Sequence, residues 1–354
     1  MKKLALISIL LLIASPALTC GTPQVNDPQP DPNNTSALPL VFVPGLNGSL
    51  LVNAAGKLQW VGLLQGAGLS TPDLALPMTW TADGSQTRDG LRPDGVIMDV
   101  SLISGVIGLD FYGPWVKFAG QIADRPLHVF AYDWRRANIE TSTKLEEYLL
   151  SVSAKYGNRP VQVVGHSMGG MLTLSVLNRR PELFDRVVFA GVPFRGGIGY
   201  LDNMHQGLQI GANSGLLSAE VLFSHPSVYS FYPTGLPFEN RDIARSATGE
   251  FVQLDFYKAE TWRENGFGLF HAKSAKWRGD TSQTAARVSF LEQALAEARK
   301  FREAMQPRRG VKASAYPPVL VVGSQSRPTD AYIQPAGGAK SGWSGPVLRR
   351  PAPS

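Results

Sequence analysis

A chain of 354 residues, 44% hydrophobic and 18% charged, can bury a large core and is too apolar to be a disordered polymer. Its net charge of +6 is mild, and no Lys/Arg block is long enough to track a phosphate backbone, so nucleic acid is not an expected partner. Cys20 is the single cysteine, so no intrachain disulfide can form and the core alone must hold the fold.

Met1-Lys2-Lys3, the apolar run from Leu4 to Ile13 and the small residues after it predict a secretory signal over residues 1–19. The run is too short to span a bilayer comfortably. Cys20 stands where apolar sequence gives way to polar, and we expect it to carry lipid and hold the exported protein at a membrane surface of the cell envelope. Cleavage after Ala17, with Ser15 and Ala17 as the small residues, would instead release a secreted protein. Residues 20–37, rich in Pro, Asn, Asp and Gln, predict a flexible linker.

The expected folded domain runs from 38 to 333. Leu40 to Val43, Leu127 to Ala131, Val161 to Val164, Val187 to Ala190 and Val319 to Val322 are short apolar runs of the kind found in buried parallel strands. Residues 46–115 read as loop-rich. A helix is expected after Arg136, with Thr143 and Glu146 as a capping box, Leu145, Leu149, Val152 and Tyr156 on its buried face and Gly157 at its end. A second runs from Met171 to Arg179. A third runs from about Ser282 to Met305, started by Asp280 and Gln283, buried along Val288, Leu291, Leu295 and Ala298, and ended by Pro307. Strands alternating with helices predict an α/β fold with a mostly parallel sheet flanked by helices. Residues 198–280 break the alternation. They are irregular and aromatic-rich, as an inserted cap would be; each Trp or Tyr there and in 46–115 reads by itself as ordinary cap core, and collectively they suit a lipid-facing lid.

Gly165-His166-Ser167-Met168-Gly169 lies between one of these strands and a helix. Acyl transfer needs an oxygen nucleophile on a sharp turn beside backbone N–H groups, and a strand-to-helix turn supplies both. Side chains at Gly165 and Gly169 would collide in so tight a turn. Ser167 is therefore the candidate nucleophile. Met168 N–H, at the start of the helix, is one candidate oxyanion donor. Leu46 N–H, in the loop after the first strand and next to Gly45, is the other.

These segments resemble the lecithin:cholesterol acyltransferase and lysosomal phospholipase family of α/β-hydrolases. The resemblance rests on Leu40 to Ser49, on Tyr132-Asp133-Trp134-Arg135, on Val164 to Gly170 and on Gly191-Val192-Pro193-Phe194-Arg195-Gly196-Gly197, with Ser227 to Pro233 similar to the cap. It implies an α/β-hydrolase fold with an inserted cap, a lipid-ester substrate, and acyl transfer to water or an alcohol. It also implies an acyl chain lying over Tyr132, Asp133, Trp134 and Phe194. Asp133 and Arg135 read equally well as a buried ion pair steadying the loop.

Serine needs a His to take its proton and a carboxylate to orient that His, which in this fold come after a late strand. The five histidines, His128, His166, His205, His225 and His271, all precede the last predicted strand, and Asp330 is the one late carboxylate. After Ile333 the sequence has no Asp, Glu or His and no strand or helix pattern, so 334–354 is expected to be an irregular tail on a shortened chain with weak activity. No metal cluster or nucleotide-binding fingerprint is present in the sequence, and no cofactor is expected. Two other readings stay open: a non-catalytic lipid- or surface-binding lipoprotein on a hydrolase scaffold, and a hydrolase of small esters.

Overall fold

The computed structural model describes residues 38–334 and 348–349, apart from 99, 103–106, 110–111, 123–124, 237–238, 240–241, 247, 272–283, 309 and 325–329. The expected signal, linker and Cys20, and the proposed start of the third helix at Asp280 and Gln283, lie outside the described residues.

Five strands form one parallel sheet: β1 (Leu40–Val43), β7 (Leu127–Val129), β8 (Val161–His166), β9 (Phe184–Ala190) and β12 (Val319–Val322). Their spatial order is β12-β9-β8-β1-β7. The chain leaves β1 in one direction to make β7, then returns past β1 to make β8, β9 and β12. That reversal puts a crevice at the carboxyl ends of β1 and β8, where open α/β sheets bind ligands. Both strands are buried along almost their whole length, as their unbroken apolar sequence requires.

Two helices pack on this sheet and a third, long helix packs on them and on the cap. Asn138–Lys155 buries Leu145, Leu149 and Val152 as expected, and Gly157 follows it at φ 71. It begins five residues before the Thr143 capping box, however. Thr143 Oγ1 instead donates back to Ile139 O inside the helix at 3.2 Å. A hydroxyl in mid-helix has that carbonyl in reach, so the cap pattern gave a false start. The elbow helix spans Met168–Arg179, and a long helix spans Thr284–Ala304, with Leu291, Leu295 and Ala298 buried.

Residues 46–115 are more ordered than their glycines and prolines suggest. β2 (Ser49–Val52), β3 (Leu58–Trp60) and β4 (Arg92–Val96) form an antiparallel sheet in the order β3-β2-β4. β5 (Val100–Leu102) pairs antiparallel with β6 (Ile107–Leu109), a short helix, Gly113–Ala119, follows, and farther along the chain β10 (Leu208–Ile210) pairs antiparallel with β11 (Asn213–Leu217).

The cap is compact. Tyr229, Tyr232, Phe256, Trp262 and Phe267 are all fully buried. Tyr232 and Phe256 stack at 5.0 Å, as do Phe256 and Phe267 at 5.5 Å. These rings belong to one continuous core with the sheet residues Val41, Val163 and Phe189, as ordinary cap core does. Short elements cannot bury their backbone alone, so the cap spends its aromatics on a core.

The edge strand β12 is open to solvent. Val319 to Val322 are 47–60% exposed, although their sequence is that of a buried strand. Leu348–Arg349 forms a two-residue strand, β14, against β13 (Asp330–Tyr332), a pairing that the tail's composition did not signal.

Candidate active site

The carboxyl end of β8 turns into the elbow helix at Ser167, whose backbone lies at φ 50, ψ −123. A non-glycine residue there is strained, by about 1–3 kcal/mol, and such strain collects at functional sites. The turn is held by Ser167 N donating to Ala190 O at 2.9 Å, and by Gly170 N and Met171 N donating to Ser167 O. Glycines permit the geometry. A Cβ on Gly165 would lie 2.7 Å from Gly170 Cα, and one on Gly169 would fall inside 3.0 Å of Val43 O and Pro44 O. A Cβ on Gly170 would lie 2.1 Å from the Val192 side chain, which would have to turn away.

Opposite the elbow, β1 ends in the loop Pro44 to Gly48. A Cβ on Gly45 would stand 2.9 Å from Ser167 Cβ, so the two segments touch. Gly48 N donates to Gly45 O at 3.1 Å, closing a turn with Asn47 at φ 63. Among the described residues, neither Leu46 N–H nor Met168 N–H is taken by another protein group. Met168 heads its helix, so its N–H has no intrahelical partner and sees the positive end of the dipole. Ser167 itself is part-exposed, and its Oγ has no hydrogen-bond partner among the described residues.

The Tyr132-Asp133-Trp134-Arg135 segment frames that loop. Tyr132 Oη donates to Pro44 O at 2.8 Å, Trp134 Nε1 to Ser49 O at 3.1 Å, and Tyr132 N to Ser49 Oγ at 3.1 Å. Tyr132 and Trp134 are buried, with Trp134 edge-on to Trp60 at 5.1 Å. Arg135, fully buried, grips Asp133 with Nε and Nη2 at 2.9 and 2.8 Å. It also grips Asp89 with Nη1 and Nη2 at 2.5 and 3.1 Å. Burial works against the Asp89 charge, but the hydrogen bonds and positive charge of Arg135 outweigh it and lower its pKa. Three of the four residues expected to line the acyl chain therefore make internal contacts. Phe194 differs. It keeps part of its surface on the loop after β9, edge-on to Phe189 at 5.2 Å. Its carbonyl accepts from Arg302, which forms a fully buried ion pair with Glu239.

The histidines are dispersed. His128 meets Tyr156 Oη at 3.0 Å within the sheet. His225, buried, donates Nε2–H to Leu74 O at 2.9 Å. His205 and His271 stack on each other at 4.1 Å in the cap. His166 turns its Nδ1 to Tyr112 Oη at 2.9 Å. Asp330 lies near Gly199, whose Cβ would be 3.9 Å from Oδ2. Among the described residues, no imidazole or carboxylate bonds Ser167 Oγ.

Sequence reasoning missed Tyr112 and Asp89. Each sits in the stretch read as loop, where nothing in the local pattern marks a residue that reaches the elbow or Arg135.

A model of the alpha/beta hydrolase family matches residues 102–352. An uncharacterized protein of Saccharomyces cerevisiae, YJR098C, is 25% identical over 233 residues, covering 64% of this chain and 33% of that protein. Lecithin-cholesterol acyltransferase-like 4 of Arabidopsis thaliana is 27% identical over 202 residues, covering 49% of this chain and 37% of that protein. The chain thus spans about a third of the length of these curated relatives. Among solved structures, the Tle4–Tli4 complex aligns with a TM-score of 0.48 at 15% identity, covering 76% of this chain and 72% of that one. The mature lipase BlEst2 of Bacillus licheniformis aligns at 0.27 and 18% identity, covering 62% and 69%.

Proposed function

The chain belongs to the alpha/beta hydrolase family, and on that premise we propose that it is a serine-dependent lipid-ester hydrolase or acyltransferase with Ser167 as nucleophile. The observation that carries this reading is Ser167 itself: a part-exposed hydroxyl on a positive-φ turn, beside two backbone N–H groups that no protein acceptor uses among the described residues. Ser167 Oγ attacks the ester carbonyl, and its proton passes through solvent water toward the leaving oxygen. Leu46 N–H and Met168 N–H receive the negative charge that develops on the carbonyl oxygen. The alkoxide leaves with a proton as the alcohol, and water or an acceptor alcohol then takes the acyl group from Ser167. A lipid ester as substrate, and a place near the lecithin:cholesterol acyltransferases, are supported by the Tyr132 to Arg135 segment and by the plant relative. Phe194 is the proposed acyl contact. Tyr132 and Trp134 act by holding the loop that carries Leu46, and Asp133 by fixing Arg135.

We further propose that the protein works at a membrane surface, held through acylated Cys20. The sequence around Cys20 supports this.

A second reading is favoured by one observation, the lack of an imidazole on Ser167 Oγ among the described residues. It is a lipid binder that no longer turns over. A fluorophosphonate probe separates the two. Time-dependent labelling that Ser167→Ala removes supports the enzyme. Vesicle binding without any labelling supports the binder and sinks the proposed hydrolase.

A further inference from the structure

The two candidate oxyanion donors sit on different segments of chain, Leu46 in the loop after β1 and Met168 after β8. Their separation depends on how those segments are tied together. One phenol makes that tie. Tyr112 is 8% exposed, and its Oη lies 2.8 Å from Gly45 N and 2.9 Å from His166 Nδ1. Gly45 N–H donates to the phenol oxygen. Burial lowers the pKa of His166, so its ring is neutral at neutral pH and Nδ1 can accept the phenol proton. The hydrogen bonds therefore run in one direction, from Gly45 N–H through Tyr112 O–H to His166 Nδ1.

Packing leaves the ring little freedom. It stands edge-on to Phe42 at 4.8 Å and to the His166 ring at 5.6 Å. A Cβ on Gly48 would come 2.8 Å from Tyr112 Cε2, so the loop lies directly against it. Gly45 is consequently held on both sides. Its N–H goes to Tyr112 and its carbonyl to Gly48 N–H. In a trans amide the N–H points opposite to the C=O. Fixing the Gly45 carbonyl therefore fixes the direction of Leu46 N–H.

We propose that Tyr112 is a positioning residue for ester cleavage, its hydroxyl setting the spacing of the two oxyanion donors by tying Gly45 to His166. This rests on the reading of Ser167 as nucleophile. The hydroxyl touches no substrate. It acts because the donors must be held to within about 0.5 Å of the productive geometry.

The test uses the full chain, with p-nitrophenyl ester hydrolysis and the rate of fluorophosphonate labelling as readouts. Tyr112→Phe removes the hydroxyl and keeps the ring. We expect kcat and the labelling rate to fall about 10–100-fold, less than or near the loss of a whole donor, with KM within about twofold. His166→Leu should cost about the same, and the double variant no more than the worse single one, because one chain of bonds is cut in each. A merely structural Tyr112 would lower the melting temperature and the fraction of protein that can be labelled, while kcat per labelled site stayed at the wild-type value. That result, or losses that multiply in the double variant, overturns the proposal. Should Ser167→Ala still label, or the wild type not label at all, the nucleophile reading fails and Tyr112 falls with it. An unchanged Tyr112→Phe beside an inactive Ser167→Ala removes Tyr112 alone.

Discussion

Gly169→Ala tests the contact between the elbow and the oxyanion loop most directly. The new Cβ would fall inside 3.0 Å of two backbone oxygens, those of Val43 and Pro44. A backbone carbonyl at the end of a central strand cannot swing aside as a side chain can, so the strand end or the helix must shift. Overpacking costs about 1–3 kcal/mol, and rigid neighbours put this case at the upper end. Replacing glycine within a helix returns about 0.5–1 kcal/mol. The net loss is about 2 kcal/mol, which calorimetry would read as a fall of about 3 °C in Tm for a domain of about 300 residues. Function should suffer more. The shift displaces the loop that carries Leu46, and misplacement of about 1 Å costs about 100-fold in rate. Gly170→Ala is the milder comparison, because the one atom within 3.0 Å of its Cβ belongs to the side chain of part-exposed Val192, while the nearest backbone atom, Gly165 O, stands at 3.1 Å. Fluorophosphonate labelling should slow about 100-fold for Gly169→Ala and much less for Gly170→Ala. A Gly169→Ala protein with wild-type Tm and labelling, or a Gly170→Ala protein damaged more severely, would refute the argument.

Other perturbations have defined outcomes. Breaking the buried Arg302–Glu239 pair with Arg302→Met or Glu239→Gln should cost about 3–5 kcal/mol in denaturant unfolding, because one charge is stranded. Arg302→Met with Glu239→Leu should recover much of that, and a double variant as weak as the singles would contradict it. Burial, aided by the charge of Arg135, pulls the His225 pKa from 6.5 down to about 3. The unfolded imidazole binds a proton below 6.5 and the folded one does not, so this contribution is present above pH 6.5 and is lost as pH falls toward 3. The slope is about 1.4 kcal/mol per pH unit, and His225→Gln should flatten it in urea titrations between pH 6 and 4. An equal slope in both proteins would place the acid sensitivity elsewhere. Fatty-acid probe labelling in cells should be abolished by Cys20→Ser, and equal aqueous partitioning of both proteins in detergent would rule out the anchor.

The central strands, the elbow and its glycines were legible in the sequence because each is a local pattern. An apolar run of four bounded by turn residues marks a strand by itself, though not its burial, and Gly165-His166-Ser167-Met168-Gly169 between strand and helix implies its own sharp turn. The Asp133–Arg135 pair could also be foreseen, two residues apart on one loop. What only the tertiary structure decided are the partners brought from far along the chain. Asp89 completes the cage around Arg135, and Tyr132 and Trp134 turn inward to brace Pro44 and Ser49. The aromatics of the cap pack on one another, and the apolar strand Val319 to Val322 lies exposed at the sheet edge. Tyr112 stands 67 residues from Gly45 and 54 from His166. No periodicity records which side chain will meet which backbone N–H across such distances, because that choice is made by the packing of whole elements and not by the residues beside it.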